Sequence, residues 1–346
     1  MALPIILAAL AAAAGVVGLN KGVKGAKKIK QAKDIARQAN SRHEMNIRKF
    51  KNKNIATSNS MDNLGKLELE ILHSFKDFAN VFEKIKNKPH FQSYSKNGVT
   101  LPEYDPEKLE EVSIGAGILL GGLSGAALGT AGGFAAAGAT TATVMALGTA
   151  STGTPIASLS GAAATNATLA ALGGGPIAAG GGGVALGTTI LGASTLGVFL
   201  LVGGVIFSLA GSKMLDDADD VWKQMSEAEA KINKICSYLA ELNTMSNNYQ
   251  NTLRDVNKIY VEHFKQLKNI VLYLGHEDWK CFTEEEKLLT QNTVLLVGLL
   301  YNMCKVEFVL KNELADGMNA INKDAIIKSM ENAEKVIADN FWNWLS

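Results

Sequence analysis

Apolar residues return at alternating intervals of four and three along a long stretch of the C-terminal half. Met214, Ala218, Val221, Met225, Ala228, Ile232, Ile235, Leu239 and Leu242 open the series, and Tyr249, Leu253, Val256, Tyr260, Leu267, Ile270 and Leu274 close it. This is a heptad seam, broken only by polar Ser246 and His263. It predicts one helix roughly 90 Å long at 1.5 Å per residue. No proline interrupts it, and Gly275 supplies a stop. Ile232, Ile235, Leu239 and Leu242 are expected to form an oligomer seam. Of these two interruptions, His263 is read as a partly buried one that sets register.

A second periodic set, Leu64, Ile71, Phe75, Phe78, Phe82 and Ile85, predicts an amphipathic helix over 61–88. Asp62 or Asn63 can cap it and Pro89 stops it. The segment 90–106, bounded by Pro89 and Pro106, reads as a loop. Near the C-terminus, Thr283 with Glu286 makes a capping box for a helix holding Val294 to Leu300. Asn322 can cap the last helix, which ends in the aromatic cluster Phe341, Trp342, Trp344 and Leu345.

Residues 113–212 contain no Asp, Glu, Lys, Arg or His. Ordinary globular domains are about a quarter charged, so this run of 100 residues marks a special environment. Gly117, Gly121, Gly125, Gly129 and Gly133 recur at every fourth position and make one glycine stripe on a helix, where a second backbone can approach closely. The segment 190–210, which includes Phe199, Leu200, Val205 and Phe207, is long and apolar enough to span a bilayer core. This segment, or the same stripe in another subunit, is the expected neighbour of the stripe.

Charge sharpens the picture. The chain is formally +1, yet 20–60 holds twelve Lys or Arg residues against two acids. Lys24, Lys27, Lys28 and Lys30 lead this basic helix and are expected to face anionic lipid or the acidic part of another subunit. The apolar segment 1–19 precedes them. Its lysines follow the apolar run, which is the reverse of a secretory signal, so the chain is expected to pass from bacterial cytoplasm to inner membrane without classical secretion. Cys236, Cys281 and Cys304 are odd in number and form no CxxC pair, which fits three buried thiols in a reducing compartment.

Catalytic signals are absent from the sequence. Gly115, Gly117 and Gly121 imitate a dinucleotide fingerprint but lack the downstream acid. Gly65-Lys66 is followed by Leu67, so it is not a phosphate loop. The five histidines are scattered, and His276-Glu277-Asp278 reads as a helix-joining loop. The sequon at Asn166 lies inside the uncharged block. The chain is read as a non-enzyme with no cofactor, no metal, no nucleic acid and no small-molecule substrate.

Two stretches carry a resemblance. One runs from Gly148-Thr-Ala-Ser-Thr-Gly153 through Ala170 to Gly173-Gly174-Gly175 and the glycines 180–183. The other is Leu64-Gly-Lys-Leu-Glu-Leu-Glu-Ile71, ending in Phe82-Glu-Lys-Ile-Lys-Asn87. Both resemble a widespread bacterial family of uncharacterised glycine-rich helical proteins, some named chemotaxis-like for their coiled coils. The resemblance covers roughly 21–274 and implies a helix, an uncharged hairpin and a second long helix, with no known activity. The glycine-rich part is weakly similar to small interferon-inducible membrane proteins of animals. The layout is similar to α-helical pore-forming proteins.

The sequence therefore predicts an all-α elongated bundle, divided at 1–19, 20–60, 61–112, 113–212, 213–275 and 276–346. Its long helices are coiled-coil-like, and 113–212 is a membrane-inserting glycine-rich hairpin. The expected function is a membrane-inserting, oligomerising effector that forms pores or perturbs the bilayer in bacterial defence or competition. The alternative is a coiled-coil protein that tethers or shapes a membrane. The expected partners are lipid and further copies of the chain.

Overall fold

The computed structural model describes residues 22–91, 93–96, 99–124, 214–306, 308–310 and 320–338. Among these the architecture is all-α, with two short antiparallel hairpins.

Helix α1 (Gly22–Phe82) is a single element of 61 residues, where the sequence suggested a basic segment ending at residue 60 and a separate helix from 61. No proline falls within it, and its buried positions keep helical spacing across the supposed break: Ala39, Asn46, Phe50, Thr57, Met61, Leu64, Ile71, Phe75, Phe78 and Phe82. The first half gave little signal because its inner face is built from small and polar residues. Thr57, fully buried, donates to the Leu239 carbonyl at 2.8 Å, and Ser60 donates to the Asn243 carbonyl. Asp62 and Asn63 thus lie mid-helix rather than at a cap. The helix ends six residues before Lys88, and Asn87, with φ of 56°, turns the chain.

Helix α3 (Met214–Lys268) lies along α1, and the two run parallel. Contacts between them keep a nearly constant separation in sequence: 187 for Arg42 to Glu229, 182 for Thr57 to Leu239, and 186 for Ser74 to Tyr260. Every heptad position from Met225 to Ile270 is buried, Ser246 and His263 included. The cover comes from the chain itself. Ile232, Ile235 and Leu239 cluster with Phe50 of α1, and Leu242 joins a core that holds Met61 and Leu64. The assignment of these four residues to an oligomer seam is therefore corrected, because their surface is already occupied.

The seam also stops one step early. Asn269–Tyr273 form a π-helical turn, which takes more residues per turn and rotates whatever follows it. Ile270 and Val271 stay buried, while Leu274, the next heptad position, is 57% exposed. Gly275, with φ of 71°, ends the element as expected.

Between the long helices, β1 (Tyr94–Lys96) pairs with β2 (Val99–Leu101) inside the segment that read as a plain loop. Helix α2 (Pro106–Ser124) then starts with proline at its first position. Asp105 accepts the Lys108 amide there at 3.0 Å. Helix α2 runs back along α1, with Lys76 paired to Glu110 at 3.2 Å and Ser113 donating to the His73 carbonyl. The uncharged block thus begins inside a helix whose Val112, Ser113 and Ala116 belong to the core, and the division at 112 passes through α2.

After a short turn (Trp279–Cys281), α4 (Glu284–Met303) opens with the predicted Thr283 and Glu286 capping box. Strands β3 (Val309–Leu310) and β4 (Ala320–Ile321) pair, and α5 (Lys323–Ala338) follows directly after Asn322. Helices α2, α4 and α5 gather around the upper half of the α1–α3 pair and make a head. Its centre is aromatic: Phe75, Phe78, Phe82, Tyr104, Tyr260 and Phe264 stack or meet edge to face. Each fully buried ring of this size contributes about 1.5–3 kcal/mol. Below the head the pair continues as a two-helix rod.

Candidate functional site

The glycine stripe enters the structure at its first two positions. Gly117 and Gly121 lie in α2, whereas Gly125, Gly129 and Gly133, together with Phe199, Leu200, Val205 and Phe207, lie outside the described residues. A Cβ added at Gly117 would sit 2.8 Å from two atoms of the His73 ring. Close approach is thus real at this position, and the described neighbour is His73 of α1. The His73 ring is also 3.3 Å from the Ser113 carbonyl, so a side chain at 117 would displace a ring that links the two helices.

The basic residues Lys24, Lys27, Lys28 and Lys30 occupy the opening turns of α1, and Lys30 is exposed. Farther along, Arg42 pairs with Glu229 at 2.7 Å and lies 5.7 Å from the Trp222 ring, while Lys49 donates to Asn233 at 2.8 Å. These contacts fix the register of the rod. With an offset near 187, Met214 is level with Lys27 and only about 8 Å along the axis from Gly22. Both long helices therefore begin at the same end. The same offset sets Asp216, Asp217, Asp219 and Asp220 level with residues 29–33.

His276, Glu277 and Asp278 fasten the other end of the pair. His276 Nδ1 lies 2.8 Å from Glu286 Oε1, and Glu277 meets Lys86 at 3.3 Å. Asp278 accepts from the Asn87 amide and from the Lys280 backbone, both at 3.0 Å. Those bonds, the one from Asn87 first, hold its carboxyl below the usual range. Burial alone would push Glu286 up, but the Thr283 amide and His276 together hold it down. The Lys86 amide donates to the Glu277 carbonyl, and the Trp279 amide to the Lys86 carbonyl. The group ties the chain after α1 to the chain after α3.

The cysteines divide. Cys236 and Cys304 are buried, and desolvation pushes both thiols up. Cys281 is exposed in the short turn, contrary to the expectation of three buried thiols, because that turn presents its outer side to solvent. No group of three or more potential metal ligands occurs among the described residues. An open groove of about 450 Å³ runs between the segment 102–109 and α4, with Tyr104, Tyr301, Lys108 and Val297 among its walls. Among the described residues no helix is long and apolar enough to cross a membrane.

One feature escaped the sequence. Leu272, Tyr273 and Leu274 stand exposed together at the end where α3 gives way to α4. The available signal was a run of three large apolar residues beside the terminal glycine, which the heptad hid by claiming Leu274. Comparison with known protein families, with curated proteins and with solved structures finds no match for this chain.

Proposed function

We propose that this chain is a membrane-inserting protein whose apolar sequences 2–19 and 190–210 enter one bilayer, with the α1–α3 rod standing on it and holding the head away. The observation that supports this reading is the parallel register. Gly22 and Met214 open their helices at one end, and each follows closely on one of the two apolar sequences. An antiparallel pair of this length would have set those sequences about 90 Å apart. The lengths suit the task, since about 20 apolar residues cross a hydrocarbon core. The lysines after residue 19 suit a flank on the cytoplasmic side.

In this reading the protein perturbs or opens the bilayer as an effector of bacterial defence or competition. Copies assemble through the glycine-rich segment, because the heptad seam is spent inside the chain. Tethering without permeabilisation is the second reading. The long two-helix rod with a compact head at its far end favours it, since a spacer serves a tether more directly than a pore. Purified full chain added to dye-loaded vesicles tests both. Incorporation that resists alkaline carbonate, with dye release, is expected for the effector. Incorporation with dye retained selects the tether. Recovery of the chain in the carbonate-soluble fraction overturns insertion.

A further inference from the structure

The far end of the rod carries its own surface. Leu272, Tyr273 and Leu274 are 43%, 81% and 57% exposed, at the outermost turn between α3 and α4. Single exposed apolar residues are ordinary, but three adjacent ones are not. Their position is built in. The π-turn carries Leu274 out of a heptad register that would have buried it. Around them the backbone is pinned: the Leu274 amide donates to Asn269 at 3.0 Å, the His276 amide to Ile270 at 3.1 Å, and the Lys86 and Trp279 amides bridge to the chain after α1. The exposure belongs to a fixed turn.

We infer that the turn 272–274 is a lipid-contact tip that dips into the interface of a bilayer. Area decides against a stable protein partner. Side chains of this size at these exposures offer on the order of 300 Å², whereas a standard protein interface needs about 800 Å² from each side. A lipid interface sets no such minimum, because leucine and tyrosine insert singly, and tyrosine favours that depth. The nearby charges agree. Glu83, Glu277, Asp278 and Glu286 each engage a neighbour, with Lys88, Lys86, Asn87 and His276. Lys84, Lys265 and Lys280 are exposed, and Lys265 and Lys268 share a helical face with exposed Val261, just before the π-turn that carries Leu272. Glu262, Glu284 and Glu285 also face solvent, so attraction to anionic lipid is modest and the apolar side chains supply most of the contact. The tip contact stands on these residues alone. The bridging of two bilayers by one rod rests on the function proposed above.

Full chain reconstituted in unlabelled vesicles is mixed with bare fluorescent vesicles of phosphatidylcholine, with or without phosphatidylserine, and capture is measured by co-sedimentation. The chain is expected to capture both kinds, the anionic ones somewhat better. The combined change Leu272→Ser, Tyr273→Ser and Leu274→Ser should lower capture about tenfold or more, while Tyr273→Phe should leave it near the starting level. These side chains face solvent, and an unchanged circular dichroism melt confirms the fold of each variant. Equal capture by the triple variant, or no capture by the unaltered chain, overturns the proposal. If the chain fails to enter the first vesicles, insertion at the base is what fails. The tip is then read by flotation of the soluble chain with the same vesicles: loss of flotation in the triple variant supports it, and equal flotation overturns it.

Discussion

Tyr249→Phe isolates the contact that fastens the C-terminal elements to the long helix. Tyr249 is fully buried. Its hydroxyl donates to the Met303 carbonyl at 2.8 Å and lies 2.8 Å from Ser329 Oγ, while its ring meets Phe308 edge to face at 5.1 Å. One oxygen thus joins α3, the end of α4 and α5. The substitution keeps the ring and removes that oxygen. The Met303 carbonyl retains the Val306 amide at 3.2 Å, so its loss is partial. Ser329 loses its buried partner. A net hydrogen bond of about 1 kcal/mol plus the cost of a poorly satisfied hydroxyl gives a destabilisation of about 2 kcal/mol. For a domain of this size the melting midpoint falls by about 4–8 °C. Burial pushes the phenol well above its ordinary range, so the effect is the same at all neutral pH values. Urea unfolding followed by circular dichroism supplies the measurement. A cycle with Ser329→Ala should show coupling of about 1 kcal/mol, because the two changes remove one shared bond. Full additivity, or a Tyr249→Phe variant as stable as the starting chain, would refute the reasoning.

Three further outcomes are expected. Asn292 is fully buried with neither end of its amide hydrogen-bonded, so Asn292→Leu, close to it in size, should raise stability by about 1–3 kcal/mol; a lower melting midpoint would show the amide to be satisfied. Ile232→Asp with Leu239→Asp should open the rod at a cost of several kcal/mol, seen as rapid proteolysis of its lower half, and a rod as resistant as before would contradict the packing against Phe50. Burial holds the His263 imidazole below its ordinary 6.5, against a smaller opposing pull from the Ile259 carbonyl, and burial lowers His43 likewise. The folded chain then binds these protons less readily than the unfolded chain. The stability they contribute is complete above 6.5 and is lost as the pH falls through 6.5 towards the folded values. The unfolding midpoint should drop between about pH 7 and about pH 5, and His263→Leu should flatten part of that drop; an imidazole titrating above 6.5 by NMR would reverse the sign.

The legible parts of the fold were those where one residue type signals burial. Leucine, isoleucine and tyrosine at heptad spacing announced α3 from Met225 to Leu267, and phenylalanines announced the upper half of α1. The lower half of α1 was hidden because Ala39, Asn46 and Thr57 do at its inner face what larger residues do elsewhere, using short side chains and backbone-directed hydroxyls. Heptad reading also cannot name the partner of a seam. The same pattern serves a second subunit or a second helix of one chain, and only the offset shared by Arg42, Thr57 and Ser74 decides for the latter. The exposed tip was illegible for a related reason. A π-turn changes the angular step between residues, so a pattern read at a constant step assigns Leu274 to the wrong side.

The parallel pairing of α1 and α3 bears on how the protein is made. Two parallel helices cannot be joined by a short hairpin, and here the α1 residues that bond to α3 meet partners more than 180 positions later in the chain. A ribosome adding about 5–20 residues per second needs about 10–40 s to deliver that partner. Throughout the interval Met61, Leu64, Phe75 and Phe78 have emerged, or are emerging, without the helix that covers them. Because the uncharged block is synthesised within the same interval, the newborn chain carries its most apolar surfaces uncovered together. Early contact with a chaperone or a bilayer during translation would shelter both until α3 arrives.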